Sequence, residues 1–215
     1  MIMHIPDGFL NIATVATTYA VSTGGIGTAV KIANKKLGEK QVPLMGILAA
    51  FIFAAQMLNF PIIGGTSGHV IGAALAAIML GPWVAVLIMS CVLIAQSLIF
   101  QDGGLLALGA NILNMGIIAS FCGYYFYRFT TFLLGNGRRG MLVGTFIGAW
   151  ASVFFAAAAC AVELAVSGVS PMRLVLPAMA GLHALIGIGE GLITSAVISL
   201  VLAARADLLQ LQRVS

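Results

Sequence analysis

The chain has 215 residues, of which 61% are apolar and only 7% charged, and its mean hydropathy is +1.11. Soluble domains carry about 25% charged residues, so this sequence cannot solvate a globular surface and reads as a membrane protein. Its net charge of +4 is attributed to basic cytoplasmic loops, which collect Lys and Arg, and not to a nucleic-acid partner.

The chain opens Met1-Ile2-Met3-His4-Ile5-Pro6-Asp7-Gly8-Phe9-Leu10. Two methionines precede a histidine and a Pro-Asp-Gly turn signature, with no basic stretch leading into an apolar segment as in a secretory signal. Apolar segments follow at approximately 10–32, 42–60, 66–80, 82–100, 105–128, 140–163 and 175–204. No charge falls between Lys40 and Asp102, which leaves room for two long spans or three short ones at about 20 residues each. Phe60-Pro61-Ile62-Ile63-Gly64-Gly65 and Gly81-Pro82 divide that stretch into three, because Pro and Gly end helices at such places. The third segment is about 22 Å long at 1.5 Å per residue, too short to cross alone. Its glycine-rich start must be buried in protein, which predicts a re-entrant loop or a cavity. The tail from Arg205 to Ser215 is too short to fold alone and extends the last helix.

Charge then orients the spans. With seven spans and the amino terminus outside, Lys31, Lys35, Lys36, Lys40, Arg128, Arg138, Arg139, Arg205 and Arg213 lie inside and only Arg173 outside, as the positive-inside bias requires. The expectation is an all-α polytopic membrane protein with about seven transmembrane helices and a cytoplasmic carboxy terminus. Residues 1–215 form one integral domain of the cell's inner (plasma) membrane. Its 3–9 loop and the 61–69 outer loop share a face, as do His4 and His69. Cys91, Cys122 and Cys160 sit inside apolar runs and read as packing residues, as do the ten methionines.

If translation starts at Met3, His4 becomes the second residue. A free amine, the next amide nitrogen and the imidazole Nδ1 of His4 then close two fused chelate rings, a donor set suited to square-planar Ni(II) or Cu(II). His69 can fill the fourth corner. The plainer alternative makes His69 a helix cap and His4 an ordinary terminal polar residue. Thr66 and Ser67 offer hydroxyls to a ligand's second N–H or cap the third helix. Asp7 either orients the terminal loop by accepting N–H bonds or merely belongs to a turn. His183, Glu190 and Glu163 are ionisable groups inside spans and need a partner or a cavity. His183 is a second candidate ligand, while Glu190 is expected to bond Asn111, Asn114, Asn59 or Gln96. The Gln101-Asp102-Gly103-Gly104 cluster either wraps the metal loop or only turns the chain. Ala16 and Ala20 suit close helix packing.

Met3 to Leu10, Gly64-Gly65-Thr66-Ser67-Gly68-His69 with Gly72, Leu80-Gly81-Pro82-Trp83, and the run from Phe100 through Gln101-Asp102-Gly103-Gly104 to Asn111 together resemble the CbiM/NikM family. These are the substrate-binding membrane components of energy-coupling factor (ECF) transporters for cobalt and nickel. The resemblance covers residues 3–130 in register and the last two helices more loosely. It implies a near-planar set of four nitrogens: the amine of Met3, the amide nitrogen and ring of His4, and the ring of His69, supported by Asp7, Thr66, Ser67 and Asn111. It also implies a transmembrane coupling (T) subunit, two cytoplasmic ATPases and a small accessory membrane subunit. The ion, Ni2+ or Co2+, is transported substrate and no catalytic cofactor is expected. The chain is not expected to be an enzyme, since no Gly-x-x-x-x-Gly-Lys-Ser/Thr loop occurs. Met1-Ile2 depart from the pattern, which favours a start at Met3. The opening block and the His69 loop look more like nickel members than cobalt ones.

Two other functions compete. Gly65-Thr66-Ser67-Gly68 matches the Gly-x-Ser-Gly form of rhomboid intramembrane proteases, with His183 as base to Ser67. A stand-alone secondary metal permease would need a coupling-ion site, for which Glu190 is the candidate.

Overall fold

The computed structural model describes residues 3–38, 41–57, 60–62, 66–205 and 207–210. Met1, Ile2, Lys40, Asn59, Ile63, Gly64, Gly65, Arg213 and Ser215, named above, lie outside the described residues, as do the side chains of Thr66 and Ser67. Seven helices follow in order: α1 Ile12–Lys36, α2 Gln41–Gln56, α3 Ala73–Leu80, α4 Pro82–Phe100, α5 108–134, α6 Arg138–Val166 and α7 Met172–Ala204. A four-residue turn of helix at Asp207–Gln210 ends the described chain. The order and number match the segments read from hydropathy.

Boundaries differ where backbone chemistry overrides hydropathy. The Asn11 side chain accepts from Thr14 N at 2.8 Å, so α1 begins at a cap and runs to Lys36, four residues beyond the expected end. α2 stops at Gln56, not at residue 60. The expected start of the third helix at residue 66 is corrected: Thr66–Gly68 pairs antiparallel with Phe60–Ile62, and α3 begins only at Ala73 after Gly72. Gly72 has φ +77° and a Cβ there would meet Ile52 at 2.8 Å, so this entrance suits glycine alone. Pro82 occupies the first turn of α4, where its missing N–H costs nothing.

α3 is the centre of the bundle. Every residue from Val70 to Leu80 is buried, with α4, α5 and α6 packed around it. The non-helical approach to α3, residues 70–72, is therefore enclosed by protein. α4 and α5 each carry a π-helical stretch, Gln96–Phe100 and Ile112–Ile118. α6 and α7 form the most extensive pair; a Cβ at Gly191 would fall 2.6 Å from the Phe146 ring, so the aromatic ring rests where the glycine leaves space.

Pro82–Phe100, Arg138–Val166 and Met172–Ala204 are long and apolar enough to cross a membrane, and α2 is a shorter apolar helix. Large apolar side chains face outward, including Ile12, Phe132 and Leu200, the surface a lipid solvent favours. Inter-helix contacts sort the loops by end. Asp7 meets Leu105 to Ala107, the Asn11 side chain donates to Val166 O, and the His4 and His69 rings meet, all at one end. Leu37, Gln41, Gly81 and Pro82 surround a cleft at the other.

Candidate metal centre

The amino-terminal segment folds into the bundle. Met3, His4 and Ile5 are buried whereas Pro6 to Phe9 are exposed. Backbone amides have few partners outside a helix or sheet, so side chains supply them here. Asn111 holds both backbone polar groups of Ile5: its Oδ1 accepts from Ile5 N at 2.8 Å, and its Nδ2 donates to Ile5 O at 3.2 Å. Gly104 N also donates to Ile5 O, at 2.9 Å. The Asp7 carboxylate accepts from Leu105 N, Leu106 N and Ala107 N at 3.2, 2.7 and 3.3 Å. A loop that is only a turn would not recruit three amides from another helix's start.

A Cβ on Gly104 would collide with Asp7 Oδ1 and its backbone nitrogen. Gly104→Ala is therefore expected to lift the terminal loop from its seat. Hydrogen exchange at Leu106 should accelerate at least about tenfold, the equivalent of one charge-assisted hydrogen bond; unchanged protection would refute the contact.

His4 lies against His69. The ring centroids are 4.9 Å apart with planes inclined by 23°, although 65 positions separate them in the chain. His69 Nδ1 sits 2.9 Å from Val70 O; a carbonyl only accepts, so Nδ1 carries the proton and Nε2 keeps its lone pair. His4 is 2% exposed, and neither of its ring nitrogens has a hydrogen-bond partner. Two unsatisfied buried nitrogens are expensive. Burial pushes the His4 imidazole down to about 4 from the ordinary 6.5, the His69 ring adds to the fall, and Asp102 and Gln96 oppose it. The Asp102 carboxylate is 3.4 Å from His4 Nδ1.

Behind the rings runs a buried polar chain. Gln96 Nε2 donates to Gln56 Oε1 at 2.7 Å, and Gln56 Nε2 donates to Ile71 O at 2.6 Å. The Glu190 carboxylate accepts from Ile71 N and Gly72 N, each at 2.8 Å. Glu190 thus caps the start of α3 from α7, where the helix's exposed amides favour an anion. This corrects the expected partners: Glu190 bonds neither Asn111, Asn114 nor Gln96, and Asn114 instead donates to Glu163 at 2.7 Å. His183 donates Nδ1–H to Met179 O at 2.8 Å, within its own helix. Gln56 and Asp102 are the contributors that sequence patterning undervalued; an uncharged Gln in an apolar helix was the available signal for the first. Among the described residues, no group of three His, Cys, Asp or Glu side chains is gathered closely enough to hold a metal.

Fold and site define a helical membrane protein whose amino-terminal segment is folded beside a distant imidazole. The profile described as CbiM, cobalt uptake substrate-specific transmembrane region, matches residues 4–208, and the chain belongs to that family. A protein of Archaeoglobus fulgidus named NikMN is 43% identical over 97% of this chain and 68% of its own length. The fused nickel transport protein NikMN of Rhodobacter capsulatus is 33% identical over 98% of this chain and 65% of its own. The cobalt transport protein CbiM of Sorangium cellulosum is 29% identical over 96% and 94%. Crystal structures of a transition metal transporter and of a truncated form superpose with TM-scores of 0.83 and 0.82 at 38% identity, covering 92% and 93% of this chain, and 92% and 98% of those chains.

Proposed function

We propose that this chain captures a divalent transition-metal ion, nickel in preference to cobalt, as the substrate-binding component of an ECF importer. The amine of Met3, the amide nitrogen and Nδ1 of His4, and Nε2 of His69 hold the ion. The observation that carries this is the buried His4 ring packed against half-buried His69: one ring has no hydrogen-bond partner, and the other is fixed in the tautomer that leaves Nε2 free. Two imidazoles on adjacent corners of a square place their centroids about 4–5 Å apart when metal–nitrogen bonds are near ~2 Å, which fits the spacing found. Asp7 and Asn111 seat the terminal segment, and Thr66 and Ser67 are proposed to support the His69 loop. The amino terminus lies outside and the carboxy terminus in the cytoplasm of the plasma membrane. A transmembrane coupling subunit, two cytoplasmic ATPases that hydrolyse ATP, and a small accessory membrane subunit complete the importer. The fused relatives, of which this chain spans about two thirds, support a second component working beside this one. A rhomboid-like role for Ser67 and His183 has no comparable support, since the relatives of this chain are named as transport proteins.

Mass spectrometry of the intact, metal-loaded protein tests the proposal: a chain beginning at Met3 with an unblocked amine and one nickel is expected. A blocked or extended amine with metal binding intact would overturn it.

The dependence on pH follows from the donors. The amide must lose its proton at every pH, and the amine competes below its ordinary value of about 7.7–8.0. Affinity should thus rise about hundredfold per pH unit between about 6.5 and 7.5, where amide and amine each give up a proton, more steeply in more acid solution, and about tenfold per unit above 8. Burial confines the proton competition at His4 to pH values below about 4. An affinity independent of pH would exclude amide ligation. The same His4 shift costs stability in acid. Between pH 6.5 and about 4 the unfolded chain binds a proton that buried His4 refuses, so stability falls as pH drops through that window.

A further inference from the structure

The segment after α4 is bent at some cost to place one carboxylate. Gln101 has φ 55° and is the only non-glycine among the described residues in the left-handed region, a conformation that costs about 1 kcal/mol or more and concentrates at functional sites. It directly precedes Asp102, whose own N–H reaches back to Gln96 O at 3.1 Å. The Asp102 side chain is 35% exposed and lines a cleft of about 440 Å³ shared with His4, Asp7, Ser97 and Gly103. Asp7 is already committed to three backbone amides, so Asp102 supplies the cleft's available negative charge. His4, buried and with neither ring nitrogen hydrogen-bonded, forms the cleft's inner wall, its Nδ1 3.4 Å from the Asp102 carboxylate. A divalent ion with six waters occupies about 180 Å³ at ~30 Å³ per water. The cleft therefore admits a hydrated ion, whereas the nitrogens behind it are reached only after water is shed.

We propose that Asp102 is an outer docking site for a hydrated divalent cation, which it holds through coordinated water beside His4 before nitrogen ligands replace that water. The proposal rests on the nitrogen-ligated reading given above. It involves ligand exchange alone: water leaves the ion, nitrogen lone pairs take its place, and the displaced amine and amide protons pass to solvent. The carboxylate contributes long-range attraction and a resting place at the mouth, and it is absent from the final square of nitrogens. Its effect accordingly belongs to the rate of association and to the ionic-strength dependence of that rate.

Stopped-flow mixing of the detergent-solubilised full chain with nickel chloride, followed by the absorption of nitrogen-ligated Ni(II), tests this. Asp102→Asn is expected to slow association about tenfold at low salt and less at high salt, with the absorption band and the rate of loss to excess chelator unchanged. Asp102→Glu should restore the rate. An unchanged association rate in Asp102→Asn overturns the docking site, and so does a shifted band with faster loss, which would make Asp102 a ligand of the final complex. Should the Asn variant fail to fold, the wild-type rate serves instead, because an association rate insensitive to salt also overturns the proposal. A wild-type protein that binds nickel without the nitrogen band overturns the nitrogen site, and the docking step with it. A wild-type band with unaltered kinetics in the variant overturns the docking step alone.

Discussion

His4→Ala and His69→Ala are each expected to lower nickel affinity by more than about a hundredfold, since loss of groups that merely support a ligand already costs 10–100-fold. His4→Ala removes the ring that closes the second chelate, leaving a bidentate amine and amide. His69→Ala opens the fourth corner to water. Neither change should unfold the protein. The His4 ring makes no hydrogen bond whose loss would strand a partner, and Ile5, held by Asn111 and Gly104, keeps the terminal segment seated. Equilibrium dialysis against nickel, alongside far-UV circular dichroism in the same detergent, separates the two effects. Binding retained in either variant would remove that imidazole from the site, and lost helicity would mean that the ring is a packing element first.

Glu190→Ala is expected to destabilise the bundle by about 2–6 kcal/mol, because each of the two buried amides left without an acceptor costs about 1–3 kcal/mol. The two amides it satisfies, Ile71 N and Gly72 N, would remain buried without that acceptor. Glu190→Gln retains one acceptor oxygen and should lose roughly half as much. Because His69 lies two residues before Ile71, the loosened entrance to α3 should also weaken nickel binding by about tenfold or more. Thermal unfolding in detergent, with and without nickel, measures both. A melting temperature equal to wild type in Glu190→Ala would show that the start of α3 is held by other contacts, Gln56 on Ile71 O among them.

These two expectations have different origins in the sequence. His4 and His69 were recognisable from chemistry and parity: a histidine directly after an internal methionine, another in a glycine-rich loop, and an even number of helices between them. Asp7 and Asn111 were recognisable only as members of motifs, and their contacts with Leu105 to Ala107 and with Ile5 follow from the packing of α1 against α5. The function of Glu190 was not legible. Its spacing in α7 places it on an inward face, but a buried carboxylate accepts from any amide brought to it, and nothing local says that Ile71 and Gly72 will be there.

The helix boundaries divide in the same way. Seven apolar segments follow from composition and punctuation, because lipid forces each span to satisfy its own backbone and to clothe it in apolar side chains, both local requirements. The start of α3 at Ala73 instead of residue 66 depends on strand pairing between 60–62 and 66–68 and on a cap supplied by Glu190, more than a hundred residues away. Chain chemistry alone thus established a helical membrane protein with two histidines on one face. The closeness of those rings, the shift of His4 to about 4 and the bend that aims Asp102 arise from packing, since burial and electrostatic neighbours exist only once distant segments are brought together.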